Sequence, residues 1–537
     1  MRLLLPSLAI SAKLLNAQLD PNYASGHTGI VHLFEWHWDT IADECEKFLG
    51  PKKVGGVQLS PPSENRVISN RPWWERYQPI SYKLETRSGN RQQLQDMIQR
   101  CNAVGVRIYP DIVINHMCGA GGTGTGTGGT SFNANSEDFP GVPYSSLDFN
   151  DANCNSKSGD IENYQDVNQV RNCRLVSLLD LNQGKSYVRQ QISAFMNDLI
   201  SLGVAGFRVD ACKHMWPGDL EAIFGGLNNL NSDIGGGRPY IFQEVIDQGG
   251  EPITASQYFG AGAVTEFNYG IKISQNIKQL HYLSNFGEQW GLMSSKYALA
   301  FINNHDNQRG HGGGGELITF QHNAYDLKIA TAFMMAWPYG IARVMSSYYF
   351  DDSDQGPPGS QRSISSDYST SCGNGWVCEH RWKTIAPMYA FRAAVWGQNM
   401  NNWWDNGNNQ IAFSRGNKGF IAINKDSYTL SASIQTGLPS GNYVDAVSGQ
   451  TYNVGSSGKV NVNLSNADDK NILVLFDGSA SVDPNPDNPV DPTCNVSNKQ
   501  DCGYMGIDEK ECVKRGCCWA ESNVSGDPWC FEKTGQS

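Results

Sequence analysis

The chain has 537 residues, long enough for one large barrel with accessory domains or for several domains. Charged residues make up only 18%, while 57 glycines, 14 tryptophans and 22 tyrosines describe an ordered protein with long glycine-built loops and aromatic surfaces. The net charge of −12 argues against nucleic acid and anionic membrane as partners, because nothing would offset phosphate repulsion, and in favour of a neutral substrate.

Residues 1–17 read as a secretory signal peptide: Arg2 supplies the positive end, an apolar stretch follows, and Asn16-Ala17 precedes Gln18. A secreted, extracellular protein is therefore expected. No later run approaches the length needed to span a bilayer. Fourteen cysteines in a secreted chain imply disulfides, and six of them crowd between Cys494 and Cys530.

Eight short β-like runs follow, at residues 29–35, 55–60, 106–113, 204–210, 240–245, 263–267, 299–304 and 339–345. Helix-like stretches such as NRQQLQDMIQRCNAVG lie between several of them. This alternation predicts an α/β fold, a parallel (β/α)8 TIM barrel over residues 18–398. The gap between the third and fourth runs is too long for a simple loop, so residues 114–181 read as a loop-rich subdomain inserted after strand 3. Its GAGGTGTGTGGT tract (119–130) lacks the Gly-Lys-Ser/Thr ending of a phosphate loop and reads as a flexible loop. Alternating runs over residues 399–477 predict a C-terminal antiparallel β-sandwich domain. Residues 478–493 form a Pro/Asp-rich linker, and 494–537 a small disulfide-rich module. Asn463, Asn495 and Asn523 head sequons that permit glycosylation.

In such a barrel, chemistry gathers at the C-terminal ends of the strands. There the fourth run ends in Arg208 and Asp210, the fifth in Glu244, and the seventh in His305 and Asp306. Three acids from three strands would converge over one cavity. Arg208 and Asp210 stand two residues apart and face one side of a strand, so the guanidinium should keep Asp210 ionised.

Four ordered segments, DIVINH (111–116), GFRVDACKH (206–214), FQEVID (242–247) and FINNHDNQ (301–308), resemble the short regions of the α-amylase family of glycoside hydrolases. IVHLFEWHW, RPWWERYQP and NHDNQRGHG resemble its animal-type, chloride-dependent branch, and the likeness covers roughly residues 18–477. It implies a secreted, monomeric α-amylase that cleaves internal α-1,4 bonds of starch, glycogen and maltooligosaccharides with retention. Asp210 would be the nucleophile and Glu244 the acid and base, its pKa raised by neighbouring carboxylates and partial burial; Asp306 would hold sugar hydroxyls. Trp73, Trp74 and Tyr77 would stack on glucose rings, and His116 and His305 would bond sugar hydroxyls. Tyr164, Arg208, Lys213, His214 and Ile246 complete the implied substrate contacts. Two alternatives stand beside this reading: a related transglycosylase, and a non-catalytic glycan- or mucin-binding protein.

The same resemblance places one structural Ca2+ on Asn115, Asp180 and the backbone oxygens of Arg171 and His214. It places one activating chloride on Arg208, Asn304 and Arg343. It pairs Cys45 with Cys101, Cys154 with Cys173, and Cys372 with Cys378. A further bridge that relatives often carry is absent, with Glu85 at its first cysteine position. Cys118 and Cys212 are left as buried thiols or as a bridge to each other. Residues 494–537 resemble a trefoil (P-type) domain, which implies Cys494–Cys518, Cys502–Cys517 and Cys512–Cys530. Such a module would meet a mucin-type glycan or protein through Trp519 and Trp529, or else serve as a stabilising tail with no ligand.

Overall fold

A computed structural model describes residues 16–359 and 372–478, and within the last module 500–504, 507, 511–512, 515, 517–519 and 528–532. The expected leader falls on residues of which only Asn16 and Ala17 are described, and Cys494, Asn495 and Asn523 lie outside the described residues. The chain divides into two compact units, residues 1–480 and 481–537.

Eight parallel strands close a barrel. They are β1 (Thr28–Leu33), β2 (Val54–Leu59), β3 (Arg107–Ile112), β4 (Gly206–Val209), β5 (Tyr240–Gln243), β6 (Ala263–Glu266), β7 (Ala298–Ala300) and β8 (Ile341–Ser346). Strands covered on both faces need near-continuous burial, and β1, β2 and β3 are buried at every position. The surrounding helices carry the matching apolar stripe. Helix Ser186–Leu202 buries Val188, Ile192, Phe195, Met196 and Leu199, then stops at Gly203 with φ +105°. Helix Arg91–Ala103 starts on a reciprocal Asn90–Gln93 capping box and buries Leu94, Met97, Ile98 and Cys101. Gly206 at the start of β4 leaves no choice of residue: a Cβ there would sit 2.2 Å from the Tyr240 carbonyl oxygen on β5.

The insertion after β3 is built from short pieces: His116–Gly119 paired with Leu178–Asp180, and a helix over Val167–Asn172. The glycine tract departs from the flexible loop expected of it. Thr123–Thr125 pairs with Ser131–Asn133 as a hairpin. Glu64 holds it by accepting from the Gly128 and Thr130 amides at 2.8 and 2.9 Å and from the Ser81 hydroxyl. Arg66 donates to the carbonyls of Gly119 and Gly121 at 3.2 and 3.1 Å. A single carboxylate thus satisfies backbone donors that glycine-rich chain would otherwise leave to water.

Disulfides join Cys45 to Cys101, Cys154 to Cys173 and Cys372 to Cys378. Cys118 and Cys212 are buried thiols, not a bridge. Beyond the barrel, a four-stranded antiparallel sheet (Met400–Asp405, Gln410–Arg415, Gly419–Asn424, Ile472–Phe476) packs against the ladder Leu430–Gln435 with Lys459–Leu464. Phe420, Leu430, Ile434, Val460, Val462 and Leu473 fill the space between them. Considered by itself, the last module holds Cys502–Cys517, Cys512–Cys530 and the pair Cys518–Trp519 with Cys530–Phe531. Among the described residues no helix is long and apolar enough to cross a membrane.

Candidate active site

The site grows from the register of β3, β4 and β5. Asp111 stands opposite Arg208, and Arg208 opposite Phe242. The ladder continues one step past the strands, with the Asp210 amide on the Ile112 carbonyl (3.0 Å) and the Glu244 amide on the Val209 carbonyl (2.9 Å). Ala211 then takes a left-handed turn (φ +50°), and its N–H points at Glu244 Oε2 at 3.0 Å. From the seventh strand end, Asn304 Oδ1 accepts the amides of Asp306 (3.2 Å) and Asn307 (2.8 Å), a turn that presents Asp306.

One guanidinium ties the acids together. Arg208 Nη1 bonds Asp210 Oδ1 at 2.9 Å, and its Nη2 lies 2.6 Å from Glu244 Oε1. Nη1 also bonds both oxygens of Asp111, at 2.6 Å for Oδ1, and the Tyr77 hydroxyl donates to Asp111 Oδ2 at 3.0 Å. Arg208 is 1% exposed.

Burial and Arg208 pull the acids in opposite directions. Arg208 does lower the pKa of Asp210, but burial, joined by the negative charge of Glu244, pushes it well above the usual carboxylate range. Asp306 is pushed up to about 7, first by burial and then by Glu244. Asp111 is raised by burial against the pull of Arg208. Asp111, Asp210 and Glu244 are buried around Arg208, and Asp306 stands partly exposed beside them.

The aromatic wall stands beside the acids. The Tyr77 ring stacks on His305 (5.3 Å, 12°), and Trp73 meets His305 edge-on at 5.5 Å. Trp73 is 4% exposed, so of the tryptophan pair Trp74 offers the more open surface. His305 keeps Nε2 3.3 Å from Asp306 Oδ2, while its buried Nδ1 has no partner. His116 differs from expectation. Its Nε2 meets the Tyr77 carbonyl at 3.0 Å and its Nδ1 the Asn115 amide at 3.2 Å, so the ring ties those two residues together. Burial lowers its pKa to about 4. Lys213 donates to the Ile246 carbonyl at 2.8 Å and lies 5.6 Å from the half-exposed Tyr164 ring. His214 Nδ1 meets the Val170 carbonyl at 2.9 Å.

Two places have the chemistry of ion sites. Asn115 Oδ1 and Asp180 Oδ1 are buried without a partner, and neither the Arg171 nor the His214 carbonyl accepts a hydrogen bond from the described residues. Burial pushes Asp180 well above the usual carboxylate range, although Asn150 donates to its other oxygen at 2.9 Å. Unsatisfied oxygens of carboxylate, amide and carbonyl type are a hard-cation donor set, so these residues fit calcium. The second place is cationic. Arg343 donates through Nη1 to Gln58 at 2.8 Å, but its buried Nη2 is unpartnered. Burial and then the like charge of Arg208 bring Arg343 down to about 9. Because Asn304 Oδ1 serves the turn, its amide nitrogen is the group left to donate, and the three residues fit an anion.

Asp111 was absent from the residues singled out in the sequence. Its signal was available as the first letter of DIVINH, at a barrel strand end.

A parallel barrel with acids gathered on one guanidinium at its C-terminal face holds the carboxyl groups that glycoside hydrolysis requires. The family model of the α-amylase catalytic domain matches residues 77–224, that of the α-amylase C-terminal all-β domain residues 401–482, and that of the trefoil (P-type) domain residues 492–533. The α-amylase of Pecten maximus is 53% identical over 90% of this chain and 99% of its own length. Pancreatic α-amylase 2a5 of Mus musculus is 54% identical over 86% and 97%. Among solved structures, a mutant α-amylase I of Eisenia fetida in complex with maltohexaose matches at 44% identity with a TM-score of 0.80, covering 84% of this chain and 98% of that one. The chain belongs to the α-amylase family.

Proposed function

We propose that this chain is a secreted enzyme that hydrolyses internal α-1,4-glucosidic bonds of starch, glycogen and maltooligosaccharides with retention, acting as a monomer once residues 1–17 are removed. The observation that carries this reading is the Arg208 fork, which holds Asp210 and Glu244 side by side at 2.9 and 2.6 Å. Two carboxyl groups sharing one guanidinium support a retaining pair, whose members work about 5–5.5 Å apart.

In this mechanism Asp210 attacks the anomeric carbon and forms a glycosyl-enzyme. Glu244 protonates the departing oxygen, then takes a proton from the incoming water. Asp306 and His305 bind sugar hydroxyls, and Trp74 with Tyr77 supplies apolar faces for the pyranose ring. Asn115, Asp180 and the carbonyls of Arg171 and His214 would hold one Ca2+, which supplies a structural tie between the insertion and β4. Arg208, Asn304 and Arg343 would hold one chloride, which supplies negative charge between two guanidiniums.

The C-terminal module, with Trp519 and Trp529 5.9 Å apart and Trp529 45% exposed, is assigned a mucin-type glycan or protein as partner. Reducing-sugar release from starch, with Asp210→Asn as control, tests the reading. NMR of the first-formed anomer tests retention. Longer products from maltooligosaccharides would instead indicate a transglycosylase, and binding without turnover a glycan-binding protein.

A further inference from the structure

The ion network next to the catalytic acids has a target of its own. Glu35 directly follows Phe34 beyond β1 and adopts a left-handed backbone (φ +66°), which costs a non-glycine residue energy and persists only where surroundings demand it. Its amide donates to Ser60 Oγ at 2.9 Å. Its buried carboxylate receives Arg87 Nε at 2.7 Å and lies 3.4 Å from Arg76 Nη1.

Arg87 turns its other donors to the 71–75 turn, where Nη1 also lies 3.4 Å from Glu75 Oε1. Nη1 donates to the Arg71 carbonyl at 2.9 Å, and Nη2 faces the carbonyls of Pro72 (3.2 Å) and Trp73 (3.4 Å). Those carbonyls belong to the segment that carries the cleft's aromatic wall. Trp73 meets His305, and Tyr77 stacks on His305 and donates to Asp111. Five guanidinium N–H groups in a fixed plane can address a carboxylate on one edge and several carbonyls on the others; an ammonium cannot. The Pro72 carbonyl also accepts the Glu75 amide at 3.2 Å, so Arg87 adds to a turn that its own backbone partly closes.

We propose that Glu35 and Arg87 are positioning residues, which hold the 71–77 turn so that the aromatic wall meets the glucan at the height set by the catalytic acids. Neither is among the residues assigned contact with the glucan. This inference rests on the reading of the site as glucan-binding.

The test uses the full-length protein and four variants: Arg87→Met, Arg87→Lys, Glu35→Gln, and Arg91→Met as a control. Arg91 lies on the same stretch of chain, but its side chain is 47% exposed and pairs with Asp198. Steady-state kinetics on starch and cleavage patterns on maltoheptaose are read with thermal midpoints. Maltoheptaose binding is also measured by calorimetry with each change in an Asp210→Asn background.

Arg87→Met should raise KM and weaken maltoheptaose binding by roughly tenfold, as loss of interactions made equally in ground and transition states does. It should also redistribute the bonds cleaved. Arg87→Lys and Glu35→Gln should fall between it and wild type, and Arg91→Met should match wild type. If Arg87→Met does not fold, Arg87→Lys and Glu35→Gln decide by the same readouts. Lower thermal midpoints with unchanged KM, binding and cleavage pattern would overturn the proposal, and so would a fall in kcat alone. A wild type that neither digests starch nor binds maltoheptaose would instead overturn the functional reading.

Discussion

Replacing Asp111 with Asn removes one charge from the acid cluster while keeping the side chain's size. Asp111 is fully buried, bonds Arg208 through both carboxylate oxygens and accepts the Tyr77 hydroxyl. Removing one partner of a buried ion pair costs about 3–5 kcal/mol when the other charge is stranded. Arg208 still keeps Asp210 and Glu244, and Asn retains one acceptor oxygen, so the lower end, about 3 kcal/mol, is expected. The electrostatic effect has a definite sign. The charge on Asp111 helps to raise the pKa of both Asp210 and Asp306, the latter to about 7. Neutralising it lets both ionise at more acid pH, and the acid limb of kcat/KM moves down. The rate at the optimum also falls, because Arg208 loses the partner that fixes its plane, and misplacement by about 1 Å can cost about 10²-fold. Reducing-sugar assays across the acid and neutral range, paired with thermal unfolding, measure all three effects. Wild-type activity with an unmoved acid limb would refute the reasoning.

Chelation with EGTA should lower the thermal midpoint and expose the insertion to protease; saturation at 100 times Kd is worth about 2.7 kcal/mol. An Asn115→Ala variant should lose that calcium response. Arg343→Gln should abolish the response of starch hydrolysis to chloride, measured in chloride-free buffer with chloride added back, since the buried unpartnered Nη2 is gone. Glu44 lies on His380 (2.9 Å) and Arg381 (2.7 Å); burial alone would raise its pKa, but these partners bring it down to about 2. Its contribution is therefore present above the unfolded carboxyl pKa of about 4.3 and lost as pH falls further toward that lower value. Glu44→Gln should cost about 3–5 kcal/mol at neutral pH and flatten that acid-side loss, both read from unfolding curves.

The barrel was legible because its strands are short apolar runs spaced by helix-length segments, a pattern carried by adjacent residues. The acids at the strand ends were legible for the same reason. Asp111 was not, because its meaning lies in a contact with Arg208, 97 residues away, that exists only once β3 and β4 are in register. How strongly Arg208 favours the ionised Asp210 was not legible, because spacing places the two side by side but cannot weigh that charge against burial and a third strand's Glu244. The glycine tract was misjudged because the residue that orders it, Glu64, stands outside it and shows no local pattern. The ring of His116 was assigned by its neighbourhood in DIVINH, and only the fold shows the Tyr77 carbonyl arriving to occupy it.

Gly206 has no chemistry of its own, yet it governs a distance that the chemistry depends on. It lets β4 and β5 lie so near each other that a methyl group would strike the Tyr240 carbonyl oxygen at 2.2 Å. Asp210 and Glu244 hang from the far ends of those two strands. The spacing between these two carboxylates is thus inherited from a hydrogen atom upstream. A larger side chain there would wedge the two carboxylates apart while leaving each of them intact.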